Sequence, residues 1–476
     1  MRRKGLLVGA IVLLVSLFHQ NIEAQTTNWY GELKVAVQLL PITLKIEQSP
    51  DTTIIMMGSP SQTKDMFGVT KQRLSQDSVI FSIKNMSIVF RGKYNETKDT
   101  IFATFKQGFL TEELVMAKTD KTYELKRPQE PIAPYSYIEE ELSFKVPGVN
   151  YDFKGTLTIP SKTQAYPCVI LVTGSGLQNR DEELFGHKPF KVIADYLTSN
   201  GIGVFRYDDR GWGEETVDSS IINATTLDYA VDAVAAYQML RKHPNIDKNN
   251  IGMLGHSEGG IIVSIAASEN PDIKFIVLLA GTGLKGIDVL LQQNKAIMQK
   301  VDMPQHALDF QLSALKKIYS LTKKELMNNE INKRMDKFYD KKLSKIDKDK
   351  LKDIQFTSPA MRTQFNSQLT SPWMRTFLVL DPSDYLKKVK QPVFAINGTN
   401  DIQVLYQYNL PAIEKALKKA KNSHYQIYTA VGMNHLFQES TTGMIDEYSS
   451  IEQTISPVIL LQLKDFIKAH TKTKNE

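Results

Sequence analysis

Residues 250–267 constrain the fold more than any other stretch of this 476-residue chain. Asn250-Ile251-Gly252-Met253-Leu254 reads as a short buried strand, and Gly255-His256-Ser257-Glu258-Gly259 follows as a G-x-S-x-G pentapeptide. Gly260 to Ala267 then continues with the small and apolar residues of a buried helix. A strand that turns sharply into a helix pushes Ser257 into the open. The glycines at 255 and 259 leave room where a Cβ would collide with the facing backbone. The helix that starts there aims free N–H groups and its positive dipole end at the same point. The pattern predicts a nucleophile elbow, and with it an α/β chain whose chemistry sits at strand carboxyl ends.

A serine is inert at neutral pH without a base and an acid to orient that base. On folds with such an elbow the partners follow in the order Ser, Asp or Glu, His, each on a loop leaving a strand. Of the eight histidines, His306, His424, His435 and His470 come after Ser257. His470 lies in the charged tail, His306 in a Lys-rich helical region, and His424 at the start of the strand candidate 424–428, the wrong end. His435 leaves that strand through a glycine-containing loop and is the expected base. The acid is expected on the loop after Pro392-Val393-Phe394-Ala395-Ile396, where Asn397-Gly398-Thr399-Asn400-Asp401 forms a turn cluster. Asp401 is preferred over Asp381 and Asp384, which precede the strand in a segment resembling a helix cap. For the oxyanion, Glu258 N–H supplies one donor. The apolar strand candidate 168–172 empties into Thr173-Gly174-Ser175-Gly176-Leu177, so Ser175 or Gly176 supplies the second. No Lys-Ser or Lys-Thr pair follows that loop, which argues against a phosphate-binding P-loop.

Taken in order, Thr173 to Asp181, Arg206-Tyr207-Asp208-Asp209-Arg210-Gly211-Trp212-Gly213, the elbow, Asn397 to Asp401 and Asn434-His435-Leu436-Phe437 resemble the bacterial α/β-hydrolases of the EstD-type carboxylesterase group, related to the serine aminopeptidase-like hydrolases. The resemblance runs from about residue 135 to the C-terminus. It implies a carboxylic-ester hydrolase with Ser257, Asp401 and His435 as triad and with no metal or organic cofactor. Trp212 and Glu214 depart from the pattern. Asp208 and Arg210 are expected to fix loop geometry through ion pairs.

Residues 1–24 read as a secretory signal peptide: Arg2, Arg3 and Lys4 precede an apolar core, Gly5 to Phe18, and Ala24 precedes the expected cut. The mature chain is expected to be exported, periplasmic or secreted, without stable membrane insertion. Its cut removes three basic residues and Glu23, so the formal net charge falls from +6 to +4, too mild a balance to suggest nucleic acid. Cys168 is the single cysteine, so no intramolecular disulfide is possible. Residues 26–125 alternate polar and apolar positions in short runs such as Ser78–Ile83 and Thr100–Phe105, which predicts a small antiparallel β domain, a sandwich or partial barrel. A proline-rich linker, 126–134, separates it from an α/β-hydrolase domain, 135–476. Within that domain, residues 282–390 are too many for a simple crossover and carry apolar residues at helical spacing. Examples are the sets Leu308, Leu312, Leu315, Ile318, Tyr319 and Met335, Phe338, Tyr339, Leu343, Ile346. They predict an inserted helical cap roofing the site, with the Lys-rich stretch 341–352 on the outer face of a helix.

The expectation is therefore an exported serine hydrolase acting on a small-molecule or glycan-linked ester, with short acyl chains. A serine peptidase using the same machinery, and a non-catalytic binding protein on a hydrolase scaffold, are the rivals. Oligomeric state is not legible.

Overall fold

A computed structural model describes residues 25–35, 38–49, 52–60, 66–107, 110–120, 126–214, 218–324, 326–354 and 358–471. The signal-peptide reading of residues 1–24 lies outside the described residues. Contacts divide the chain into two compact units, one within residues 1–60 and Lys64–Glu124, the other essentially Leu125–Glu476.

The first unit is one antiparallel sheet of nine strands: β1 (Gln25–Val35), β2 (Gln38–Gln48), β3 (Thr53–Gly58), β4 (Met66–Gly68), β5 (Lys71–Leu74), β6 (Ser78–Ile83), β7 (Ile88–Tyr94), β8 (Thr100–Gln107) and β9 (Leu110–Thr119), in the order β4-β3-β2-β1-β9-β8-β7-β6-β5. β4 and β5 stand at opposite ends of that order, yet only Val69 and Thr70 join them. Val69 N–H donates to Ile55 in β3, and Thr70 N–H donates to Ser82 in β6. The sheet therefore curls far enough to bring its two edge strands near each other, as in a partial barrel. Period-two alternation fills the interior: Ile101, Ala103 and Phe105 of β8 point in with Phe81, Phe90 and Trp29, while Phe102 faces out.

The second unit carries an eight-stranded sheet of β10 (Ile138–Phe144), β11 (Phe153–Ile159), β12 (Tyr166–Val172), β13 (Gly203–Tyr207), β14 (Ile246–His256), β15 (Ile276–Leu279), β16 (Val393–Gly398) and β17 (Tyr425–Ala430), in the order β10-β11-β13-β12-β14-β15-β16-β17. From β13 through β12 to β17 neighbouring strands pair in parallel, and β11 is antiparallel to both β10 and β13. Its helices are α1 (Pro189–Ser199), α2 (Ser219–Ile222), α3 (Thr226–Leu240), α4 (Glu258–Glu269), α5 (Gly286–Lys300), α6 (Gln305–Thr322), α7 (Asn328–Leu343), α8 (Pro359–Gln368), α9 (Pro372–Val379), α10 (Ser383–Leu386), α11 (Tyr406–Lys419), α12 (Ile445–Tyr448) and α13 (Pro457–His470).

The continuous apolar runs of β12, β15 and β16 belong to strands covered on both faces. Alternate residues of β12 show this: Cys168, Ile170 and Val172 pack with Ala233, Tyr237 and Ile262 of α3 and α4, whereas Val169 and Leu171 pack with Phe190 and Ile193 of α1 and Phe466 of α13. Burying each large side chain of these layers contributes about 1.5–3 kcal/mol. Burial also pushes the Cys168 thiol well above its ordinary range. Residues 282–390 fold as helices α5 to α10, with a core of their own that includes Phe310, Leu315, Ile318, Met335 and Tyr339. The Lys-rich stretch departs from expectation: α7 ends at Leu343, and a short 3₁₀ turn, Lys348–Asp353, carries most of the remaining lysines.

The proline-rich segment is not a free spacer. Arg127 donates from Nε to Gly186 O, from Nη2 to Phe185 O and Ser449 O, and from Nη1 to Ile451 O, at 2.7–3.2 Å. The Gln129 side chain pairs with Ile455 O and Thr454 N–H at 2.8 and 2.6 Å. The segment is a strap on the α/β unit, clamped by partners more than 320 residues away in sequence. Arg127→Ala should cost about 1.5–3 kcal/mol, because the carbonyls lose a charged partner. Arg127→Lys should not restore it, since an ammonium lacks the planar fork. A lowered Tm of the α/β unit in calorimetry checks this, and an unchanged Tm rules it out.

Candidate active site

β14 runs into α4 through Ser257 alone. Ser257 has φ 53° and ψ −115°, a strained backbone for a residue with a Cβ, and its N–H donates to Leu279 O at 2.9 Å. The glycines keep the turn possible: a Cβ on Gly255 would fall on the backbone of Gly259, and one on Gly259 would fall on the Val172 carbonyl. Ser257 lines a cleft of about 360 Å³ together with Ser175, Glu258, His435 and the cap residues Trp373 and Phe377.

Asp401 leaves β16 and His435 leaves β17, and the two meet: His435 Nδ1 lies 2.7 Å from Asp401 Oδ2. The other carboxylate oxygen, Oδ1, accepts Gln403 N–H at 2.8 Å and Val404 N–H at 2.9 Å. With two backbone donors on one oxygen and the ring on the other, the buried carboxylate has one orientation. A carboxylate facing Nδ1 keeps the proton there and leaves Nε2 as the acceptor. Asn434 Oδ1 accepts Leu436 N–H and Gln438 N–H, both at 3.0 Å, which shapes the turn around His435. Of the residues set aside, Asp384 sits in α10 paired with Lys387 at 2.8 Å, and Asp381 caps the start of that helix through Ser383 N–H. His306 lies in the cap, 3.0 Å from Asp353.

On the loop after β12, Gly174 N–H donates to Glu182 Oε1 at 2.8 Å. Ser175 faces the cleft and its hydroxyl donates to Glu258 Oε2 at 2.7 Å. Gly176, at φ +102°, borders a separate small cavity with Tyr207, Asp209 and Arg210. The Glu258 carboxylate also accepts Thr226 Oγ1 at 2.6 Å and the indole Nε1 of Trp373 at 2.8 Å. Burial raises its carboxyl above the ordinary range, against those three donors. Glu258 thus joins elbow, α3 and cap, a role that the pentapeptide gives no hint of. Around the loop, Arg180 pairs with Asp208 at 2.6 Å and Arg210 with Asp232 at 2.5 Å. Against that guanidinium, burial still lifts the Asp232 carboxyl to about 6.

Two more residues escaped sequence reasoning. His256 and Glu182 are 3% and 1% exposed, 74 positions apart, and hydrogen-bonded at 2.8 Å beside Ser257. Among the described residues, no group of three or more His, Cys, Asp or Glu side chains is placed to hold a metal ion, and no helix is long and apolar enough to cross a membrane.

A stretch of 135 residues is 33% identical to Esterase EstD of Thermotoga maritima, covering 28% of this chain and 29% of that protein, so the match spans less than a third of the relative. Among solved structures, a dienelactone hydrolase from Anabaena variabilis superposes with a TM-score of 0.40 at 16% identity, over 71% of this chain and 100% of that one. An esterase of Pyrococcus furiosus gives 0.42 at 13% identity, over 74% and 100%. Residues 188–438, more than half of the chain, match the family described as serine aminopeptidase, S33. With its eight-stranded sheet, elbow and inserted helices, the chain belongs to that family of α/β-hydrolases.

Proposed function

We propose that the protein is an exported serine hydrolase that cleaves carboxylic esters of short acyl chain through an acyl-enzyme. The observation that carries this reading is one cleft lined by Ser257 at a strained elbow and by His435, whose ring is held by the buried Asp401. In this mechanism Ser257 Oγ attacks the ester carbonyl while His435 Nε2 takes its proton. The imidazolium then protonates the leaving alkoxide, and a water activated by the same base releases the acid. Glu258 N–H and Ser175 N–H hold the oxyanion. Ser175 is preferred on this loop because Gly174 N–H is engaged by Glu182 and Gly176 borders another cavity.

Ester is favoured over aminopeptide for an electrostatic reason. Capture of a free amino terminus needs a carboxylate open to the substrate. Among the described residues lining the cleft, the carboxylate is Glu258, and its oxygens already accept three donors. A panel of p-nitrophenyl esters beside aminoacyl-p-nitroanilides tests the assignment, and faster anilide turnover would reverse it.

The preference for short chains rests on the cap, because Val289, Leu290, Trp373 and Phe377 close the cleft with apolar surface. A methylene without room costs about 10-fold or more in kcat/KM. Esters of two to six acyl carbons should therefore lead. Trp373→Ala should raise the octanoate-to-butyrate ratio of kcat/KM by about 10-fold. A ratio unmoved by that change would mean that the cap does not measure the chain.

A further inference from the structure

The histidine of the elbow does more than precede the nucleophile. Its ring is buried between two acceptors: Nδ1 lies 2.8 Å from Glu182 Oε1, and Nε2 lies 3.0 Å from the carbonyl oxygen of His435. A neutral imidazole has one N–H and satisfies one of them; only the imidazolium donates to both. The same Glu182 oxygen accepts Gly174 N–H at 2.8 Å, next to the proposed oxyanion donor Ser175. One hydrogen-bonded pair therefore ties together three loops: the oxyanion loop after β12, the elbow after β14 and the base loop after β17.

We propose that His256 and Glu182 form a buried imidazolium–carboxylate brace that positions the oxyanion loop and the base loop about Ser257, and that loss of the His256 proton as pH rises sets the upper pH limit of turnover. This rests on the serine-hydrolase reading of the same site. His256 and Glu182 are positioning residues. The brace is local: when His256 loses its proton to solvent base, the N–H to His435 O is lost and the base loop loses its tether.

The charged groups around the ring set the direction. Glu182 faces it from the oxyanion loop and Asp401 from the loop after β16. The His435 ring stands with its centroid 4.8 Å away, and the carboxylate of Glu258 is turned to Ser175, Thr226 and Trp373. Burial opposes a charge on His256. Glu182, by charge and by hydrogen bond, the His435 carbonyl and Asp401 outweigh it and hold the imidazolium above the ordinary histidine range. A raised value means that the brace is complete at low pH and is lost as pH rises through that value.

The test uses the full chain with Glu182→Gln, a neutral isostere that removes the charge holding the second proton. On p-nitrophenyl acetate, kcat should fall by about 10- to 100-fold with KM little changed. The upper limb of the kcat–pH profile should move down by about one unit or more. A folded Glu182→Gln variant with the wild-type profile overturns the proposal. Independently of that variant's folding, a ¹⁵N-histidine pH titration of the wild type should show one imidazole that stays protonated on both nitrogens to higher pH than an ordinary histidine. If no imidazole holds its second proton beyond the ordinary histidine range, the proposal is wrong whatever the kinetics. Failure of the underlying reading looks different: wild-type protein that turns over no ester and takes no fluorophosphonate at Ser257.

Discussion

Ser257→Ala should lower ester turnover by about 10⁶-fold, close to the loss expected from removing the whole triad, because nucleophile and base act as one unit. The folded state should tolerate the change. Ser257 already occupies φ 53°, its N–H bond to Leu279 O is made by the backbone, and alanine keeps the Cβ whose strain the elbow already accommodates. The residual rate should come from the oxyanion donors and from binding alone. A fluorophosphonate probe reads the same residue without a substrate: it should label the wild type and leave Ser257→Ala unlabelled. Labelling that persists in the variant, or turnover within tenfold of wild type, would remove Ser257 from the mechanism and with it the proposed function.

The residues behind that prediction could be proposed from the sequence for a reason that does not extend to the whole site. An elbow is a local pattern, and the two loops that supply Asp401 and His435 each follow an apolar strand. Chain order and strand ends therefore singled out 401 and 435 as candidates among their rivals, and the structure brings those two side chains to 2.7 Å. Nothing local announces a pairing across distance. Glu258 meets Trp373 115 positions on, His256 meets Glu182 74 positions back, and Arg127 reaches carbonyls at 449 and 451. These contacts depend on how loops stack at strand ends, which periodicity does not encode. The first unit shows the same limit. Alternation pointed to strands there, but the curl that brings the sheet's two edges together through Val69 and Thr70 shows only in the pairing order.

Asp401→Asn should cost about 10⁴-fold in turnover while leaving the fold intact, and the local hydrogen bonds say why the amide cannot escape its unfavourable orientation. Oδ1 accepts two backbone N–H groups, from Gln403 and Val404, so an asparagine must keep its carbonyl oxygen there; turning the amide over would set NH₂ against two donors. The NH₂ group is then left facing His435 Nδ1, which has to become an acceptor. That places the ring proton on Nε2, the atom that must be free to take the proton of Ser257. Geometry survives and the tautomer is wrong, so kcat should collapse with KM little changed. Asp384→Asn serves as the control, because Asp384 lies in α10 with Lys387 as its partner, and its loss should leave turnover within twofold, about the ordinary effect of a surface change. If Asp401→Asn retains turnover within tenfold of wild type while its thermal unfolding is unchanged, the carboxylate does not orient the base. The 2.7 Å contact would then be structural, and the acid of this site would have to be sought elsewhere.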